Sequence, residues 1–174
     1  MNDYRISETE VAFSYYCGFV HEKLNYKLRH GCYQNNLNLT LFDKYINLMS
    51  EEIDKRKMHN NIIAIRWMKY KIFKNIYKTT PFKLLFNNIQ LIDNGFLSTS
   101  LNSYYIHSDG NEVQDSVLIF IQIPSGIKSM YMYKRISDRD EYELLLPAKT
   151  ILQVNKVYLW GLKRAIIITK AIPN

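Results

Sequence analysis

Apolar residues in the first third of the chain recur every three or four positions, the spacing that lines one face of an α-helix. Ser7 followed by Glu10 is a capping box, in which hydroxyl and carboxylate each accept from the other residue's backbone N–H. Behind it Ala12, Tyr15, Tyr16, Phe19, Val20, Leu24 and Leu28 keep helical spacing, and Gly31 suits the C-terminal cap. A second helix starts at Thr40 and carries Phe42, Tyr45, Ile46, Met49 and Ile53 on its apolar face. From about residue 61 the pattern changes. Ile62-Ile63-Ala64-Ile65 is a strand ending in Arg66-Trp67, and residues 68–78 form a short helix broken before Pro81. Asp93-Asn94-Gly95 is a turn, with Phe96 to Ser100 a strand behind it. Residues 101–115 are polar and loop-like, and Ser116 to Ile123 is a strand closed by Pro124-Ser125-Gly126. Tyr142 to Leu146 and Thr150 to Tyr158, joined at Pro147-Ala148-Lys149, predict a hairpin; Ala165 to Ile172 is a last strand. Helices first and strands later predict an α+β domain.

Composition narrows this picture. The 174 residues suit a single domain over 1–174, helical to about residue 60 and β-rich beyond it. A net charge of +7 favours acidic partners, whether nucleic acid, anionic lipid or an acidic protein face. Two cysteines, Cys17 and Cys32, make no disulfide framework. The N-terminus lacks the apolar core of a secretory signal, and runs such as Val117 to Ile121 are too short to span a bilayer. The four histidines do not fall at metal-ligand spacings, so no metal is expected, and no Gly-rich phosphate loop is present. Lys69, Lys71, Lys74 and Lys78 alternate with Tyr70, Phe73 and Tyr77. That pattern fits either a grip on a phosphate backbone or the solvated face of an amphipathic helix.

Three elements carry candidate chemistry: Arg66 at a strand end, Ser98-Thr99-Ser100 on a strand after a Gly turn, and Glu141-Tyr142-Glu143 opening a later strand. Side chains alternate along a strand, so Glu141 and Glu143 are expected on one face. Two close carboxylates repel unless they are solvated or hold something positive, and a ribosyl oxocarbenium ion is such a charge. Arg66 offers a planar fork of donors to a pyrophosphate, and the Ser98 hydroxyl can hold both a carboxylate and a ribose hydroxyl. Each element alone has a plainer reading: a solvated face, ordinary β structure, an ion-pair partner. Their order, strand context and separations of 32 and 45 residues favour one joint site.

In these motifs the chain resembles the bacterial mono-ADP-ribosyltransferase toxins and exoenzymes of the Arg, Ser-Thr-Ser, Glu-x-Glu type. The resemblance rests on Gly95-Phe96-Leu97-Ser98-Thr99-Ser100-Leu101 and on Glu141-Tyr142-Glu143 followed by Leu144-Leu145-Leu146-Pro147. A weaker echo is Tyr15-Tyr16, Leu24-Asn25 and Leu28-Arg29 in the first helix. It implies helices packed on a split β-sandwich with a central NAD cleft, and transfer of ADP-ribose from NAD to a protein arginine with release of nicotinamide. Glu143 then matches the catalytic glutamate, Glu141 the residue that handles the acceptor, and Ser98 the group that positions Glu143. Glu rather than Gln at 141 is the pattern of arginine-modifying enzymes. Arg66 binds NAD, the Trp67 backbone clamps the nicotinamide amide, and Thr99 and Ser100 support the strand beside the cofactor. Tyr104 or Tyr105 covers the nicotinamide, and Tyr131 to Asp140 forms the acceptor loop with Tyr131 or Tyr133 as its aromatic contact. Trp67 departs from the small residue or second Arg usual there. The resemblance further implies a toxin or effector that is secreted or delivered into a target cell, with a delivery or immunity partner. The competing reading is a non-enzymatic basic module for nucleic acid or an acidic protein, which predicts salt-sensitive association and no NAD binding.

Overall fold

The computed structural model describes residues 6–33, 40–86, 89–102, 115–133 and 142–173. Helix α1 (Glu8–Tyr15) opens on the expected capping box: the Ser7 hydroxyl accepts from Glu10 N–H, and the Glu10 carboxylate accepts from Ser7 N–H at 3.0 Å. The long first helix is not continuous. A π-helical turn over Tyr16–Val20 separates α1 from α2 (His21–His30), whose cap Gly31 takes a left-handed φ of 75°. Helix α3 (Thr40–Asp54) packs beside α1.

Strand β1 (Ile62–Lys69) runs further than expected, and helix α4 (Tyr70–Tyr77) starts correspondingly later. A short helix α5 (Pro81–Leu84) and an edge strand β2 (Gln90–Asp93) follow. The remaining strands are β3 (Leu97–Ser100), β4 (Ser116–Ile123), β5 (Met130–Tyr131), β6 (Glu143–Leu146), β7 (Thr150–Leu159) and β8 (Ala165–Ile172). Among the described residues they form the order β2-β7-β8-β4-β1-β3-β6-β5, antiparallel except between β4 and β8. Strands β1 and β4 pair over their whole length, whereas β1 and β3 meet only at Ile65 and Ser100. The sheet is therefore split between those two strands. Val117, Ile119 and Ile121 of one half share a core with Leu97, Leu144 and Leu146 of the other, so the halves face each other as a sandwich. Leu145 and Met130, on the other side of the smaller half, pack against Phe13, Tyr16, Leu24, Met49 and Ile53 of the helices.

The expected hairpin between residues 142–146 and 150–158 does not form. Strand β6 pairs with β3 and β5, while β7 pairs with β2 and β8. All four residues of β6 are buried. Its two faces serve the two cores, which puts it inside the smaller half of the sheet. The chain crosses to the other half at Pro147 to Thr150, where Lys149 adopts φ 64° and its N–H donates to Asp93 O. The aromatic residues of α4 turn inward: Phe73 is buried, and Tyr70 and Tyr77 pack on the same core. The lysine run is thus the outer face of an amphipathic helix and not a stacking platform for bases.

Candidate active site

The π-helical turn sets the helix-side wall of the site. Tyr16 and Asn25 are nine residues apart, about two and a half turns of regular α-helix, which would put them on opposite faces. The wider turn resets the phase, and Asn25 Nδ2 donates to the Tyr16 hydroxyl at 3.0 Å. Asn25 Oδ1 in turn accepts from Phe96 N–H at 2.8 Å, fixing α2 to the start of β3. Burial, and next the nearby Glu143 carboxylate, push the Tyr16 phenol well above the usual tyrosine range, so it stays neutral.

Gly95 is required where α2 meets this turn. A Cβ there would stand 2.8 Å from Asn25 Oδ1 and 3.1 Å from Arg29 Nε. Both side chains are held by hydrogen bonds and have little room to yield. Gly95→Ala is therefore expected to cost about 1–3 kcal/mol, the usual range for overpacking, read as a lowered thermal unfolding midpoint. Fully retained stability would contradict this close approach.

Arg66, Ser98 and Glu143 meet at the split in the sheet. Ser98 Oγ donates to Glu143 Oε1 at 2.5 Å, and the Cys17 thiol, from the π-helical turn, lies 3.7 Å from Glu143 Oε2. Glu143 is only 8 % exposed. A buried carboxylate without partners is costly by several kcal/mol, whereas hydrogen bonds to a charged group each return roughly 1.5–3 kcal/mol. The donors around Glu143 are what allow it to stay buried at the split in the sheet. Arg66 Nη1 donates to Ser98 O at 3.1 Å, and its Nη2 lies 3.4 Å from Asp93 Oδ2.

Asp93 and Arg29 complete the cluster, and sequence reasoning did not assign either of them. Arg29 makes a two-pronged contact with Asp93 through Nε and Nη2, both at 2.8 Å. Asp93 is 1 % exposed and also accepts from Gly95 N–H at 2.9 Å. Two guanidinium groups thus converge on one buried carboxylate beside Ser98, and each has further N–H groups beyond those it uses on Asp93. Arg29 appears in the sequence only within the Leu28-Arg29 echo of the first helix, four residues after Asn25 and so on the same helix face, with no role attached to it. Asp93 reads as a turn residue, and that it also is. Cys17 reads as a core residue, and its contact with Glu143 has no signature in the sequence.

The other expected residues divide. Trp67 follows Arg66 on β1 and is half-buried. Thr99 points to the opposite face of β3 from Ser98, where its hydroxyl donates to Leu144 O at 2.7 Å and ties β3 to β6. Ser100 Oγ accepts from Asn102 N–H at 3.0 Å, closing the end of β3. Tyr131 lies on β5 and not in a loop. Tyr133 follows the strand, with its hydroxyl donating to Glu10 Oε1 at 3.2 Å. Both tyrosines are exposed. Glu141, Tyr104 and Tyr105 lie outside the described residues. Strand β6 starts at Glu143, and Tyr142 just before it sits at φ 47°. A left-handed tyrosine is strained, and such strain concentrates at functional sites. Among the described residues no group of three or more His, Cys, Asp or Glu side chains is placed to hold a metal ion. None of their helices is long and apolar enough to cross a membrane.

A family model described as ADP-ribosyltransferase exoenzyme matches residues 3–172. Among curated protein sequences none matches the chain. Solved structures similar to it include an ADP-ribosyltransferase from Clostridium botulinum, with TM-score 0.74 and 20% identity over 95% of this chain and 87% of that one. The C3 exoenzyme of Clostridium limosum superposes with TM-score 0.73 at 20% identity, covering 97% of this chain and 87% of that one. An ADP-ribosylating toxin belonging to a binary enterotoxin of C. perfringens, solved with NADH, gives TM-score 0.74 at 18% identity over 97% of this chain. This chain spans 44% of that toxin's length. At these identities the structural likeness speaks to the fold.

Proposed function

Because the chain belongs to the ADP-ribosyltransferase exoenzyme family, whose reaction uses NAD as co-substrate, we propose that it transfers ADP-ribose to an arginine of a target protein. The observation that carries this reading is the buried Glu143 carboxylate, held by Ser98 and flanked by Cys17, at the sheet opening where Arg66 also points. The residues present fit NAD: two guanidinium groups for the pyrophosphate, a carboxylate for the ribose, and exposed tyrosines leading into the segment before Glu143.

In this reading the bond between ribose C1′ and the nicotinamide nitrogen breaks, and nicotinamide leaves with the bonding pair. The developing oxocarbenium charge is stabilised by ionised Glu143, which Ser98 keeps in orientation. Arg66 and Arg29 hold the pyrophosphate. An arginine nitrogen of the acceptor then bonds to C1′ and loses a proton to Glu141. Such a base is needed because a guanidinium, with a pKa above about 12, is a poor nucleophile while charged. Tyr131 and Tyr133 form the contact surface for the acceptor, and the protein acts as a toxin or effector on a host protein.

The test is to incubate the protein with labelled NAD and a cell lysate, comparing the unaltered chain with Glu141→Gln. Label should appear on a protein band and be removed by hydroxylamine, which cleaves arginine linkages. Glu141→Gln should lose transfer far more than it loses slow NAD hydrolysis. Equal loss of both would remove the acceptor role from Glu141, and label resistant to hydroxylamine would exclude arginine.

A further inference from the structure

We propose that the tip of the β7–β8 hairpin docks this domain on an anionic lipid surface. This goes beyond the catalytic reading and does not depend on it. Strand β7 ends at Leu159 and β8 begins at Ala165, and these two residues pair across the hairpin. Between them Trp160 N–H donates to Arg164 O at 2.9 Å, and Gly161 takes φ 76°, so the turn is closed tightly. Its side chains point away from the protein. Leu162 is 85% exposed, the highest value for a large apolar residue among the described residues, and Trp160 and Tyr158 are 55% and 40% exposed.

Cations surround this apolar point. Lys156, Lys163 and Arg164 are exposed on the hairpin itself, and Lys69 and Lys71 are exposed where β1 runs into α4. That junction lies at the same end of the sheet, since Lys69 pairs with Ser116 and the adjoining Val117 pairs with Ala165. Lys156 Nζ sits 4.9 Å from the Tyr158 ring centre, and Lys163 forms a 2.9 Å ion pair with Asp115. Among the described residues here these five cations stand beside one carboxylate, Asp115, in keeping with the net charge of +7.

Lipid fits this combination better than the other partners of a basic surface. Nucleic acid would use the cations and a ring but has no use for an exposed leucine. A protein interface of ordinary size needs a broad complementary face, whereas this feature is a narrow projection. At a membrane surface Trp prefers the headgroup level, Leu reaches the acyl boundary, and Lys and Arg attract anionic headgroups. The turn's backbone pairing lets it enter that layer without unpaired groups at its base.

The experiment uses the full chain, sedimented with vesicles of phosphatidylcholine alone or mixed with phosphatidylserine. Retention on the mixed vesicles should exceed that on phosphatidylcholine by about tenfold or more and fall as salt is raised. The pair Trp160→Ser and Leu162→Ser should reduce retention by about tenfold or more while leaving NAD hydrolysis and the circular dichroism spectrum unchanged. No retention of the unaltered chain, or equal retention of the double variant, would overturn the proposal. So would a solution dimer, seen by light scattering, that the same double variant dissociates, because the tip would then belong to a second copy.

Discussion

Glu143→Gln is expected to lower both nicotinamide release from NAD and transfer to protein by about a hundredfold or more, the scale of one transition-state electrostatic contact. The substitution keeps the shape of the side chain, and the amide oxygen can still accept from Ser98. The unfolding midpoint should therefore stay within about 4 °C, the shift of roughly 1 kcal/mol in a domain of this size. Glu143 is only 8 % exposed, so loss of its charge also relieves desolvation and offsets part of the lost hydrogen bonding. The informative result is the separation of the two readouts. A large loss of rate with a stable fold assigns the effect to chemistry, and a parallel collapse of both assigns it to structure. Measured rates close to those of the unaltered protein would remove Glu143 from the reaction.

Asp93→Asn should show the opposite signature, with stability and NAD affinity falling together. The carboxylate is buried, receives two short contacts from Arg29 and one longer contact from Arg66, and accepts from Gly95 N–H. An amide at that position has one acceptor atom and turns an NH2 group toward guanidinium donors. Breaking a buried pair by changing one partner costs about 3–5 kcal/mol. Arg29 is 22% exposed and can recover some hydration, which brings the expectation to roughly 2–3 kcal/mol. That corresponds to a midpoint lowered by about 4–12 °C. Loss of alignment in both arginines should raise the KM for NAD about tenfold, with a smaller effect on kcat. An unchanged KM beside a lowered midpoint would make the cluster structural only.

Local patterns in the sequence foretell much of the fold. The capping box at Ser7 and Glu10 forms as written, because it involves neighbours three residues apart. Ser98 and Glu143, taken from separate motifs, stand in hydrogen-bond contact. What failed was pairing over distance. Residues 142–146 and 150–158 have strand patterns and a turn between them, yet they belong to different halves of the sheet. The apolar run of β6 reads the same whether one face or both are buried, and here both are. The π-helical turn escaped for a similar reason: nothing in Tyr16-Cys17-Gly18 distinguishes a wider turn from a regular one. That turn nevertheless determines how Tyr16 meets Asn25, and it brings Cys17 to Glu143. Arg29 and Asp93 are 64 residues apart, and neither one's surroundings announce the other.

The decisive measurement is a crystal structure of the protein with bound NAD. The nicotinamide ribose should lie within hydrogen-bonding distance of the Glu143 carboxylate and the pyrophosphate against Arg66 and Arg29, in the opening between β1 and β3. NAD bound on another face of the molecule, or a cleft in which the dinucleotide contacts none of residues 66, 98 and 143, would contradict that assignment.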